Sequence, residues 1–103
     1  MLRAAVQCWE TAPDAHRFWE EIVSRFIEAS AARIRRERRS GSALDDGPSA
    51  KALATALIWM NERCFYTASL GAGPTLGERE LVSTLTAVWM RAVYGRPRPS
   101  SGR

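Results

Sequence analysis

The chain has few of the residue types that build disulfide frameworks, metal sites and many active sites. Its 103 residues include two cysteines, Cys8 and Cys64, and a single histidine, His16. Neither cysteine has a second cysteine or a histidine at metal-ligand spacing, and two thiols so far apart do not form a disulfide framework. We therefore expect no metal site, no cofactor, and reduced thiols in a cytoplasmic protein.

Long hydrophobic runs are also lacking. The longest apolar stretch, residues 52–60, is far shorter than the roughly 18 residues of a membrane span. The N-terminus does not have the layout of a signal peptide, because Cys8, Trp9 and Glu10 lie where an apolar core would continue. No second acid or base stands at a workable distance from a candidate catalytic carboxylate. The sequence therefore predicts neither a membrane protein nor an enzyme.

The charge and the size of the chain restrict its partners. So small a domain buries roughly two-thirds of its unfolded surface, so burial against a partner would stabilise it noticeably. The formal net charge of +4 is modest. The arginine run from Arg33 to Arg39 could contact phosphate, but Glu37 interrupts it and no aromatic residue accompanies it. We expect a solvated helix end there, because cations suit the negative end of a helix dipole.

The spacing of apolar residues predicts four helices and no strands. The second of them has the clearest apolar stripe and should be about 39 Å long. Residues 1–95 are expected to form one domain, followed by a disordered tail at 96–103. The predicted helices are a short one at residues 2–9, a long one at 14–39, and a third at 48–70 with Pro48 as its first residue. The fourth begins at a capping box formed by Thr75 and Glu78 and ends at Gly95.

The last two predicted helices are apolar on more than one face. A helix that is apolar nearly all round must be covered on two sides, and in so short a chain the second cover is a ligand or another subunit. Exposed in a monomer, the outer faces would form an unusually large apolar patch. The alternative is that these residues only complete a four-helix core. The expected dimer interface consists of Ala52, Ala56, Trp59, Met60, Arg63, Ser83, Ala87, Met90 and Tyr94.

The segment ALATALIWMNERCFY…LVSTLTAVWMRAVYG resembles the last two helices of regulators in the tetracycline-repressor (TetR) family, most closely in the ethionamide-regulator (EthR) branch. The helix HRFWEEIVSRFIEASAARIRRERRSG resembles the helix that precedes them. The resemblance implies an all-helical C-terminal domain for ligand binding and dimerisation, truncated at its N-terminal side. The final two helices of two such subunits would form a four-helix bundle. The family's helix-turn-helix is not found in this sequence, so we expect no sequence-specific DNA binding by this chain alone.

By matching position, the resemblance also implies a pocket for an apolar small molecule. The position of Asn61 is consistent with such a pocket on physical grounds, because an amide on the inner face of an apolar helix needs hydrogen-bond partners. The alternative is that Asn61 bonds to the backbone or to a neighbouring helix. Glu62 and Arg63 are expected to form a structural pair that is either exposed to solvent or bridges two helices. The implied pocket residues are Trp19, Val23, Phe26, Ser30, Ile58, Asn61, Phe65 and Trp89, with Ile58 where the branch has a second asparagine.

Two functions fit these observations. The first is the ligand-sensing and dimerisation domain of a TetR-type repressor, in which a ligand changes the spacing of two DNA-reading heads. The second is a structural module that senses no ligand. Such a module would form a homodimer, or a heterodimer with a related full-length regulator, and the mixed dimer would bind a palindromic operator poorly.

Overall fold

The structure is a computed structural model that describes residues 13–71 and 73–95. Within these ranges the chain forms three helices and no strand, which confirms the all-α class. The expectation of four helices is not matched, because the short helix at residues 2–9 lies outside the described residues, as does the expected tail. The helices are α1 (Pro13–Arg39), α2 (Ala50–Leu70) and α3 (Glu78–Tyr94).

The core lies mainly between α1 and α2. On α1 the buried residues recur every three or four positions, which places them on one face of the helix. Ala31 and Ala54 are fully buried, and their small side chains allow α1 and α2 to approach closely. Val93 is the residue of α3 that joins this cluster. The cluster consists of Val23, Ile27, Ala31, Ile34, Ala50, Ala54, Leu57 and Val93.

The start of α2 differs from the prediction, while its end agrees with it. Pro48 is not the first helical residue; Ser49 is the N-cap, and its hydroxyl accepts a hydrogen bond from the Ala52 amide at 3.1 Å. A serine cap satisfies one of the free amides of the first turn, which a proline cannot do. At the other end, Gly71 takes the left-handed conformation with φ 66° and stops the helix after Leu70, as expected.

The predicted capping box of α3 is wrong. The helix begins at Glu78, two residues later than a cap at Thr75 requires, and its N-cap Gly77 makes no side-chain hydrogen bond. Glu78 and Glu80 lie in the first turn, where carboxylates stabilise the positive end of the helix dipole. The end of α3 at Gly95 is confirmed: this residue has φ 85°, and its amide donates to the Arg91 carbonyl.

The end of α1 and the loop that follows it contact the C-terminal end of α3. The Leu44 amide donates to the Val93 carbonyl at 2.9 Å, and the Tyr94 hydroxyl donates to the Glu37 carboxylate. At Gly95 the positive φ favours glycine, and an added Cβ would also lie 3.0 Å from the Leu44 side chain, which would have to shift slightly. These contacts join α1 to α3 at one end of the molecule.

The Glu37–Tyr94 contact makes stability depend on pH. The hydrogen bond from Tyr94 lowers the pKa of the Glu37 carboxyl below its ordinary value of 4.5. The bond to Glu37 raises the pKa of the Tyr94 phenol above 10.0. A carboxyl with a lowered pKa stabilises the fold above its unfolded-state pKa, and that contribution is lost as the pH falls through the folded-state pKa.

We therefore expect Glu37→Gln to reduce the sensitivity of the fold to acid. The melting temperature of the wild type should fall more steeply than that of the variant as the pH is lowered below 4.5. Glu21→Gln is the matched control, because it removes an exposed carboxyl from the same helix. Parallel pH profiles for the wild type and Glu37→Gln would contradict a stabilising role for this contact.

Candidate ligand-binding site

A cavity of about 410 Å³ lies between α1 and α2. Its volume is within the range of small-molecule sites, and its walls are mostly aromatic and aliphatic, as is usual for such sites. Six of the eight residues expected in the pocket line it. The lining residues are Trp19, Val23, Phe26, Ile58, Asn61, Glu62, Phe65 and Tyr66.

Helical spacing explains why these side chains meet. Trp19, Val23 and Phe26 recur at intervals of four and three residues, so they share one face of α1. Residues 58, 61 and 65 of α2 follow the same rule and face them. Val23 is almost fully buried, whereas Phe26 is 59% exposed. The cavity is therefore continuous with the core at one side and reaches the surface at the other.

Asn61 is bonded to a neighbouring helix. The Trp89 indole nitrogen donates to the Asn61 side-chain oxygen at 3.1 Å, so one of the two expected alternatives for this amide is seen. The bond links α2 to α3 beside the cavity. The amide nitrogen of Asn61 makes no hydrogen bond with the residues that the structure describes. It remains as a donor for a molecule in the cavity.

Ser30 and Trp89 are the two expected pocket residues that do not line the first cavity, although the Trp89 indole bonds to Asn61 in its wall. Ser30 is one helical turn beyond Phe26, about 6 Å further along α1. Both residues line a second cavity of about 400 Å³, on the α3 side of α1. The structure therefore divides the expected pocket between two cavities. The second is lined by Ala29, Ser30, Arg33, Ile34, Glu37, Trp89, Met90, Val93 and Tyr94.

The sequence-based prediction missed Glu62 and Tyr66. The expected pair of Glu62 with Arg63 is not formed: the Arg63 guanidinium lies 4.5 Å from the centre of the Tyr66 ring. Adjacent residues on a helix do not face each other, which is the physical reason. One Glu62 carboxylate oxygen is buried and has no hydrogen-bond partner among the described residues. The spacing in the sequence could have indicated both residues. Ile58, Glu62 and Tyr66 are four residues apart, so they form a row along α2 next to the row that contains Asn61.

The residues expected at a dimer interface lie mostly on the surface of the single subunit. Trp59 is 39% exposed, and Met60, Met90 and Tyr94 are partly buried. Val82 and Val88 of α3 are apolar but 49% and 39% exposed, because only one side of α3 meets the other described helices. The remaining interface residues are all exposed, namely Ala52, Ala56, Arg63, Ser83 and Ala87.

Other chemically reactive side chains of the described residues form no further site. His16 is exposed and bonded to Glu20 at 3.0 Å, and Cys64 is a free, partly buried thiol. Cys8 lies outside the described residues. Residues 13–71 and 73–95 contain no group of three or more His, Cys, Asp or Glu side chains placed to hold a metal ion. No helix in these ranges is both long enough and apolar enough to cross a membrane.

Known proteins resemble this chain over almost all of its length. The family described as the C-terminal domain of the transcriptional regulator EthR matches residues 1–95. The chain is 37% identical over 93 residues to the HTH-type transcriptional regulator EthR of Mycolicibacterium smegmatis. It is 33% identical over 96 residues to the regulator of the same name from Mycobacterium tuberculosis. These matches cover 90% and 93% of this chain but only 42% and 44% of the relatives.

Proposed function

The chain belongs to the family of the C-terminal domain of the transcriptional regulator EthR, and we propose that it senses a ligand and dimerises as part of a cytoplasmic TetR-type repressor. The cavity of about 410 Å³ between α1 and α2 carries the proposal. The chain spans less than half of the relatives' length, and the proposal for it is limited to ligand binding and pairing. The proposal includes no catalytic step and no sequence-specific DNA binding by this chain alone.

The chemistry of the cavity favours an apolar ligand with one hydrogen-bond acceptor. Trp19, Phe26 and Phe65 offer aromatic walls, and burial of a ligand against them supplies most of the binding free energy. The Asn61 amide nitrogen is the donor that would orient a carbonyl group. Ile58, one turn earlier on α2, offers only apolar contact. A molecule with a carbonyl on an apolar body therefore fits this cavity, and an N–H beside that carbonyl would donate to the buried Glu62 oxygen.

The position of α2 provides a route from ligand to dimer. Ile58 and Asn61 face the cavity, whereas Ala56, Trp59 and Arg63 belong to the proposed dimer interface on the same helix. A ligand that fits one tilt of α2 better than another would favour one arrangement of the paired subunits. The Asn61–Trp89 bond would transmit the same displacement to α3. Two DNA-reading heads attached to such a dimer would then change their spacing.

A thermal-shift experiment with aryl ketones and N-alkyl amides tests the sensing function. We expect these compounds to raise the melting temperature of the wild type, because they bind the folded state alone. Ile58→Trp should abolish the effect by filling the cavity. Asn61→Leu should lower the affinity for the carbonyl compounds about two- to tenfold relative to the affinity for hydrocarbons of the same shape. This factor corresponds to the net free energy of one hydrogen bond.

Thr84→Ser is the control, because Thr84 is exposed on α3 and lies outside both cavities and the proposed interface. This variant should respond to the compounds as the wild type does. An unchanged melting temperature with every compound would contradict ligand sensing. The second candidate function, a dimerisation module without a ligand, would then be preferred, since the exposed faces of α2 and α3 support pairing independently of the cavity.

A further inference from the structure

The second cavity occupies a gap between α1 and α3. Its lining runs from Ala29 to Glu37 on α1, about 12 Å of helix, and from Trp89 to Tyr94 on α3. The Trp89 indole, which bonds to Asn61, stands at one end. The bond from Tyr94 to Glu37 closes the other end. The gap is therefore an elongated space with fixed ends.

The floor of this gap is aliphatic, which distinguishes it from the aromatic first cavity. Ile34 and Val93 are almost fully buried at its base, and Ala29 and Met90 extend the apolar surface. Trp89 supplies the one indole of the lining. An alkyl chain fits a narrow aliphatic gap better than a flat ring system does.

Arg33 provides the charge at the rim of the gap. Its Nε donates to one oxygen of the Glu37 carboxylate at 3.1 Å, and the Tyr94 hydroxyl bonds to the other oxygen. Both oxygens of Glu37 therefore have donors already. The two terminal nitrogens of Arg33 make no hydrogen bond or ion pair with the described residues. A guanidinium presents such a pair of nitrogens to a carboxylate as two parallel donors.

We propose that the gap between α1 and α3 binds an aliphatic carboxylic acid, with its alkyl chain over Ile34 and Val93 and its carboxylate on the terminal nitrogens of Arg33. This site is separate from the first cavity and goes beyond the proposed function. Glu37 balances the charge of Arg33 within the lining, so the preference for an acid comes from the free edge of the guanidinium. Glu37 does not compete for the incoming carboxylate, because it holds the Nε edge of Arg33 and leaves the other edge open.

Nuclear magnetic resonance of the tryptophan indole groups tests the proposal. The chain has four tryptophans, and Trp89→Phe and Trp19→Phe assign the signals that report on the two cavities. Decanoate, added below its micelle concentration, should shift the Trp89 indole signal in a saturable way. Decanol, with the same chain but no charge, should bind about tenfold more weakly, since hydrogen bonds to charged groups are the stronger ones.

Arg33→Gln should remove the preference for decanoate over decanol. Arg25→Gln is the matched control: it removes the same charge from an exposed position of α1 that lines neither cavity, and it should keep the preference. Equal binding of acid and alcohol to the wild type, or equal effects of the two variants, would overturn the proposal. A shift of the Trp19 signal alone would also overturn it while supporting the first cavity as a ligand site.

Discussion

The substitution Ala87→Glu should convert a dimer of this chain into a monomer at concentrations where the wild type is paired. Ala87 is small and exposed on the face of α3 that we assign to the partner subunit. A carboxylate buried there without a partner would cost about 2–5 kcal/mol of association free energy. Because about 1.4 kcal/mol corresponds to a factor of ten, the dissociation constant should rise more than about thirtyfold.

The exposed apolar surface explains why the expected effect is large. Trp59 and Val88 are each 39% exposed and Val82 is 49% exposed, on the two helices that meet the partner in this proposal. Large aromatic side chains contribute most to interface energetics, so Trp59 is the expected anchor. A twofold contact would bring each Ala87 against the partner subunit, since both subunits use the same surface. A single substitution therefore introduces two carboxylates into one interface.

Sedimentation equilibrium over a dilution series measures this effect. Ser24→Glu is the control, because it adds the same charge to an exposed site of α1 outside the proposed interface and both cavities. It should leave the dissociation constant within about twofold of the wild-type value, as is usual for surface substitutions. A wild type that remains monomeric at every concentration would contradict the interface, and so would an Ala87→Glu dimer of unchanged affinity.

The sequence predicted those parts of the fold that one helix determines by itself. The apolar spacing of α1 gave its buried face, and Gly71 and Gly95 gave the ends of α2 and α3, because a left-handed terminal residue is a local requirement. The predicted starts of α2 and α3 were each two residues too early. Several neighbouring residues can cap a helix start, and the path of the preceding loop decides between them.

The packing of one helix against another was harder to predict than which face of a single helix is buried. The resemblance identified six residues of the first cavity, including Phe26, Asn61 and Phe65. Ser30 and Trp89 line a second cavity, because a resemblance transfers positions along each helix but not the spacing between the helices of this chain. The pattern of α3 likewise shows that Val82 is apolar without showing which neighbour covers it, and this residue is 49% exposed.

Leu57→Ala should destabilise the folded chain by about 2–5 kcal/mol, the usual cost of removing a leucine side chain from a packed core. Leu57 is only 5% exposed and belongs to the cluster that joins α1 to α2. The cavity that remains cannot collapse easily, because Ala54 and Ala31 already bring the two helices close together. For a domain of this size each kcal/mol corresponds to roughly 4–8 °C in melting temperature.

Thermal unfolding, followed by circular dichroism at one fixed protein concentration, measures the loss in Leu57→Ala. Leu76→Ala is the matched control: the same atoms are removed from a loop residue that is 39% exposed, so its melting temperature should change by only a few degrees. Equal losses in the two variants would show that Leu57 is not part of a packed core. The first cavity would then lack a rigid base, since its wall residue Val23 belongs to the same cluster as Leu57.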